Sequence, residues 1–489
     1  MDNMEYIVKK LKSDTNNTDY TTYREKMVCG KRLVIIYIDP LTSSDKISDF
    51  IVRSLDRINK VYSKKDDLGK VIENEIDNFK IKKITTYKDL CYHLNYGFTI
   101  LLVEGINYGF ALETKRVLSR SIGAPQTETA LRGAMDAFVE DMHTNIGLIK
   151  RRIKDNNLWT ESMDVGRHTT TKVSIVYING ICKQELVDRV KEKIKNIDID
   201  GIISSGAVKN LIEKENKCVF PTIFSTERPD KTCRALLEGR IAILVDCSQF
   251  ALILPLVMND LFISTEDNFS KGINITFTRI VRYLAFFITM FTPAIYLAVT
   301  TYNQEMLPTE LLVSFASQRS SVPFPAFFEA LLMAFSFEIL RECDLRSPTF
   351  TSSALSTVGA LILGEAAVSA GIVSPIMIIV IAITALSALL FTEPEMINGI
   401  RWYRILFMIG ASFMGIIGVV IAFIYLIVKL CSLNSFGVPY ISPFAPISIS
   451  GLKDSIVKFP TKDLDKRGKY FSDNRTKYKK VIKWKSYFY

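Results

Sequence analysis

Lys31–Asp39 reads KRLVIIYID, and Thr171–Asn179 reads TKVSIVYIN. Further on, Gly97–Leu112 reads GFTILLVEGINYGFAL, and Gly239–Leu254 reads GRIAILVDCSQFALIL. Tyr37 and Tyr177 lie 140 positions apart, and Gly97 and Gly239 lie 142 apart. Two independent pairs at nearly one spacing mark an internal duplication. In each copy a run of β-branched and aromatic residues reads as a strand. A helical period follows it: Ile47, Ile51, Leu55 and Ile58 in the first copy, Leu186, Val190 and Ile194 in the second. Each copy closes on an apolar hairpin, with Glu104-Gly105 or Asp246-Cys247 at its turn. Asp246 and Gln249, at the middle of the second hairpin, argue for strands there and against a membrane span. These patterns predict two similar α/β subdomains, over 1–114 and 171–272. Between them, 115–170 reads as a helical linker. Its Glu128–Lys154 stretch puts Leu131, Met135, Phe138, Met142, Ile146 and Ile149 on one face. The basic end, Lys150-Arg151-Arg152, suits a helix C-terminus, so no nucleic-acid partner is expected.

Charge divides the remaining chain. Residues 273–451 carry 8 Lys/Arg and 9 Asp/Glu, whereas 452–489 carry 12 and 4. The first segment reads as an all-α transmembrane domain and the second as a basic cytoplasmic tail. The opening MDNMEYIVKKLKSD has no apolar core of a signal peptide. Eight cysteines include no CxxC pair, and His93, His143 and His168 are far apart. Reduced thiols are expected, with no metal and no cofactor. No P-loop, dinucleotide fingerprint or nucleophile set is present, so the chain is not expected to be an enzyme.

Four apolar runs are long enough to span, near 283–302, 352–373, 375–391 and 403–430. Two further stretches, 308–318 and 325–343, read as amphipathic helices. The second carries Glu329, Glu338 and Arg341, and Glu338 and Arg341 are spaced to pair on a helix. These three residues are candidates for gating linkage. Four crossings return both termini to the cytoplasmic side, although Arg401 and Arg404 then fall outside, against the usual charge bias.

Within the second run, Leu355–Gly371 reads LSTVGALILGEAAVSAG, with one carboxylate. At 100° per residue, Ser352, Ser356, Gly359, Ala366 and Ala370 share a face of small residues suited to helix packing. Val358, Leu361, Glu365, Val368 and Ile372 lie opposite. A ring of such glutamates flanked by apolar rings would favour cations and gate by dewetting. Two other placements stay open. Glu365 can be bonded within its own subunit, or Ser352, Ser356 and Gly359 can face the pore.

The blocks RSIGAPQTETALRG, TERPD, EGRIAILVD, PTELLVSFASQRSSVPFP, FEILREC, LGEAAVSAGIVSP and SFGVPYISPFAP, in this order, resemble those of the A subunits of GerA-type spore germinant receptors. The resemblance runs from about Tyr20 to Arg467. It implies an integral protein of the spore inner membrane, with its N-terminal domain and tail on the cytoplasmic (core) side. It implies a transporter-like B subunit and a lipoprotein C subunit as partners. It also implies a homo-oligomer, a pentamer, that forms a nutrient-gated channel for monovalent cations. Two other functions compete: a transporter-like protein that binds a solute itself, and a membrane scaffold whose α/β domains bind a ligand or partner. The duplication sits in the soluble part and no repeat is evident among the spans, which favours the channel subunit over the transporter.

Overall fold

The computed structural model describes residues 4–15, 20–62, 68–76, 81–116, 123–125, 127–128, 133–213, 219–346, 364–391, 393–460, 466–473 and 476. The first α/β unit has five strands: β1 (Thr21–Val28), β2 (Lys31–Ile38), β3 (Ile81–Ile84), β4 (Phe98–Val103) and β5 (Gly109–Glu113). The second repeats them as β6 (Leu158–Val165), β7 (Thr171–Ile178), β8 (Phe224–Thr226), β9 (Ile241–Val245) and β10 (Ala251–Leu254). The sheets have matching orders, β1-β2-β4-β5-β3 and β6-β7-β9-β10-β8, and every pairing is antiparallel.

Both faces of each sheet are covered, which is why the quoted runs are almost wholly apolar. Side chains alternate across a strand. Leu33, Ile35 and Tyr37 therefore pack with Ile51, Leu55 and Ile58 on one side, from α2 (Arg53–Val61) and the helical turn before it, with α3 (Leu68–Glu75) alongside. Val34, Ile36 and Ile38 pack with Leu11 and Leu90 on the other, from α1 (Met4–Asp14) and α4 (Tyr87–Asn95). In the second unit α6 (Gln184–Lys195) and α7 (Ser205–Glu213) cover one face, and α5 (Met142–Arg152) and α8 (Pro229–Leu237) the other.

The repeat is longer than its sequence signature. Each unit begins with a helix and an edge strand, α1-β1 or α5-β6, ahead of the strand that carries the motif. The helix expected over Glu128–Lys154 is confined to Met142–Arg152, and Leu131 lies outside the described residues. Two side chains set its start. Asp141 accepts from the His143 and Thr144 amides as a cap, and Asn145 bonds both backbone groups of Val139. Phe138 is buried from an extended segment, its amide donating to Glu227 O at 2.7 Å, while Met135 is exposed. Also within the expected linker, 158–165 is strand β6.

The apolar region contains α9 (Gly272–Thr301), α10 (Thr309–Arg319), α11 (Ala326–Arg346), α12 (364–369), α13 (Pro375–Ala388) and α14 (Pro394–Ser432). Among the described residues, α9 and α14 are long and apolar enough to cross a membrane. The run expected as one span over 403–430 is folded in two. Gly415 has φ +59°, and the backbones of Gly410 and Gly418 meet. Phe291 of α9 touches both Phe407 and Phe423, at 4.6 and 5.4 Å between ring centres. In an unbroken helix those two phenylalanines would be about 24 Å apart. Both arms therefore run between the tip at Gly415 and the second α/β unit. Near that unit, Tyr403 stacks on Phe220, and Ser435, just beyond the second arm, donates to Thr222 O at 2.8 Å. α11 lies alongside this bundle, with Ala326, Ala330, Met333 and Ala334 in its core.

A side chain at Gly415 would meet Asn303 Oδ1 at 2.6 Å and Tyr302 Cβ at 2.8 Å, in a backbone region that L-residues avoid. Gly415→Val is expected to destabilise the purified chain by about 2–3 kcal/mol. A thermal melt in detergent that matches the parent would show that the reversal does not depend on this glycine.

Candidate functional site

Charged side chains inside an apolar bundle need partners, and the helices supply them from distant parts of the sequence. At the base of α9, Arg279 is fully buried. Its Nε donates to Asp267 at 2.9 Å, and its Nη1 donates to Asp454 Oδ1, Asp454 O and Ser455 O at 3.1, 2.9 and 2.8 Å. Arg282 donates to the same Asp267 at 3.0 Å. The start of the tail is thus a structural part of the base. Further along, Phe471 enters the core of the second unit, and Arg467 donates to Leu237 O at 2.6 Å.

The second unit holds the first arm of α14 through Lys209, which is 2% exposed. Its ammonium lies 2.6 Å from Glu395 and 4.0 Å from Glu393. Burial pushes the Glu393 carboxyl up to about 7, with Lys209 opposing that shift and Glu395 adding to it. None of the three is conspicuous in the sequence, since a lone lysine on α7 and two glutamates beside a proline look like ordinary surface.

The carboxylates expected to matter separate into three environments. Glu329 is 1% exposed and accepts from the backbone amide of Ser374 at 2.6 Å and from its hydroxyl. This bond ties α11 to the turn before α13. Glu338 pairs with Arg341 as the spacing suggests, but at 3.7 Å. Its closer partners are Arg401 at 2.8 Å and Arg404 at 3.2 Å, both on α14. The two arginines whose placement conflicted with four crossings therefore sit on the half of the bundle nearer the α/β units. Glu365, in contrast, is exposed and has no ion-pair or hydrogen-bond partner among the described residues.

Of the other residues on that helix, Ser352, Ser356, Val358, Gly359 and Leu361 lie outside the described residues. Ala366, Ala370 and Ile372 are exposed alongside Glu365. Val368 is half-buried, on a side shared with Gly364, Ala367 and Gly371. Within one chain α12 therefore packs through Gly364, Ala367, Val368 and Gly371. The expected small-residue seam at Ala366 and Ala370 is open, as is Glu365.

A duplicated α/β region joined through buried ion pairs to an apolar helical bundle defines a two-part protein in which the second α/β unit grips the bundle directly. The family model "Bacillus/Clostridium GerA spore germination protein" matches residues 6–470, and the chain belongs to this family. It is 41% identical to spore germination protein KA of Bacillus subtilis (strain 168), over 88% of this chain and 78% of that one. It is 33% identical to spore germination protein A1 of the same organism, over 95% of each. It is 34% identical to the B. subtilis protein described as uncharacterized membrane protein YfkQ, over 92% of this chain and 87% of that one. The crystal structure of the N-terminal domain of the A subunit of the Bacillus megaterium spore germinant receptor GerK3 aligns at 32% identity and a TM-score of 0.43. That alignment covers 53% of this chain and 96% of the other.

Two family blocks meet in the structure. Arg228 of TERPD is 1% exposed and donates to the carbonyls of Glu128 and Ala134, both at 3.0 Å. Glu227 accepts from the Thr127 amide at 2.5 Å and the Glu128 amide at 3.1 Å. These bonds give the extended segment ahead of α5 its shape.

Removing the shared carboxylate in Glu338→Ala leaves three guanidinium groups facing one another, and is expected to cost about 3–5 kcal/mol. In a double-mutant cycle with Arg404→Met, the coupling should exceed about 1 kcal/mol. Additive effects would show that the two helices are not joined here. Glu393 gives a pH test. Its folded-state pKa lies above the ordinary value of 4.5. Folding therefore favours its neutral form, and stability falls as pH rises from about 4.5 to 7, by on the order of 2–3 kcal/mol. Glu393→Gln should raise the melting temperature at pH 8 and leave it unchanged at pH 5. An equal effect at both would refute the assignment.

Proposed function

We propose that the chain is the membrane A subunit of a nutrient germinant receptor, and that several copies assemble around Glu365 into a nutrient-gated cation channel. The family and the curated relatives, which are spore germination proteins, support the role in germination. The observation that carries the channel reading is the contrast among the carboxylates. Glu329 and Glu338 are bonded within the chain, whereas Glu365 stands exposed beside Ala366, Ala370 and Ile372. An ionisable group left unpartnered in an apolar helix is costly toward lipid and suited to a water-filled passage. Residues on both sides of α12 then act together. Glu365 selects cations, the small open residues let copies approach, and Val368 fills space within the subunit.

In this reading α9, α11, α13 and the two arms of α14 cross the membrane. The arms are about 31 and 27 Å long and α11 about 31 Å, close to the hydrocarbon thickness of about 30 Å. The start of α9 and the end of α14 both meet the second α/β unit or the start of the tail, so the α/β units and the tail share the cytoplasmic side of the spore inner membrane. Arg401 and Arg404 then lie toward that side, in accord with the distribution of basic residues in membrane proteins. The transporter-like B subunit and lipoprotein C subunit are its proposed partners, and its role is not enzymatic.

The test is ionic selectivity. In reconstituted receptor, Glu365→Gln should lower the cation-to-anion permeability ratio several-fold while assembly persists. An unchanged reversal potential would remove Glu365 from the conduction path.

A further inference from the structure

The Glu338 cluster has more positive charge than it neutralises. Arg341, Arg401 and Arg404 border a cavity of about 190 Å³ whose acidic lining residues are Glu338 and the exposed Asp344. The tally leaves one positive charge in excess. The Nε atoms of Arg401 and Arg404 are buried and have no acceptor among the described residues. Arg404 itself is only 6% exposed. A guanidinium short of acceptors is costly, and both of these arginines line the one cavity, which points to an acceptor supplied there from outside the chain. Excess charge makes an anion the fitting one, and guanidinium groups match phosphate oxygens well.

The other walls of the cavity select among anions. They are apolar: Leu340, Ala385, Ala388, Leu389, Ile397 and Ile400. Leu389 is 74% exposed and Leu390 beside it 45%, so an apolar path leads from the cavity to the outside of the bundle. A free inorganic anion would leave this path unused. A molecule with a phosphodiester at one end and a hydrocarbon chain at the other would use both. The position also suits such a molecule. The cavity includes Thr289, about two helical turns beyond Arg282, which is bonded to Asp267 at the base of α9.

We propose that this cavity binds the phosphodiester head of an anionic phospholipid, with Arg401 and Arg404 donating to its oxygens and an acyl chain lying along Leu389. The bound lipid would complete the junction between α11 and α14, the helices that Glu338 already joins. The proposal rests on the membrane placement given above. Basic pockets between helices near the cytoplasmic face are suited to such head groups.

The full chain, reconstituted in phosphatidylcholine nanodiscs with and without phosphatidylglycerol, tests it by thermal melting. The expected result is a higher melting temperature with phosphatidylglycerol, and no rise when inorganic phosphate is added to phosphatidylcholine discs. Mass spectrometry of lipid retained through detergent purification should show at least a twofold loss of phosphatidylglycerol in Arg401→Gln. If that variant does not fold, the wild-type melts alone decide. Equal melting in both discs overturns the proposal. A rise with inorganic phosphate replaces the lipid with a free anion. A chain that does not enter discs at all refutes the membrane placement, a distinct result from entering them without preference.

Discussion

The close approach of Gly410 to Gly418 governs the helical region. Any side chain at either position would separate the arms of α14, and the positive φ of Gly415 is what returns the chain upon itself. Because of this reversal, both ends of a 39-residue apolar helix reach the second α/β unit. The first arm arrives with Glu393 and Glu395 on Lys209, and the second leads to Ser435 on Thr222. The reversal also places Arg401 and Arg404 where Glu338 can meet them. α9 packs in the crook, with Phe291 between Phe407 and Phe423.

Around that hairpin the charged residues do the joining. Three of the ionic contacts connect elements far apart in sequence: Arg279 to Asp454, Lys209 to Glu395, Glu338 to Arg404. None is an isolated pair, since backbone carbonyls, a second carboxylate or a second guanidinium completes it. Such contacts contribute little net stability, but they are strict about geometry, because a misplaced partner leaves a buried charge alone. A displacement of the second α/β unit must therefore be felt by α14 through Lys209, and by α11 through Glu338.

The sequence made the inner strands legible because both sheet faces are covered, so β2, β4, β7 and β9 are apolar at almost every position. The edge strands β1 and β6 were illegible for the opposite reason: TTYREKMV and LWTESMDV are only partly buried at most positions, carry polar residues on both faces and lack a sustained period. The start of α5 was obscured because Phe138 continues the helical spacing while belonging to an extended segment fixed by Glu227. The fold-back in α14 left no mark in hydropathy. Glycines at 410, 415 and 418 signal close approach, but not that the approaching helix is the chain's own continuation. The candidate carboxylates were visible as charges in apolar runs. Their partners were not, since a spacing of three reveals Arg341 and nothing local reveals Arg401 or Arg404.

The tail has a consequence for the order of assembly. Arg279 stands at the start of the first apolar helix, yet three of its hydrogen bonds go to Asp454 and Ser455, made 175 residues later. Phe471 fills the core of a unit whose strands were complete by Leu254. During synthesis the soluble units and every apolar helix emerge before these contacts exist. The base of the bundle therefore stays open until Asp454 and Ser455 have emerged, and its closure follows the synthesis of all the apolar helices from α9 to α14.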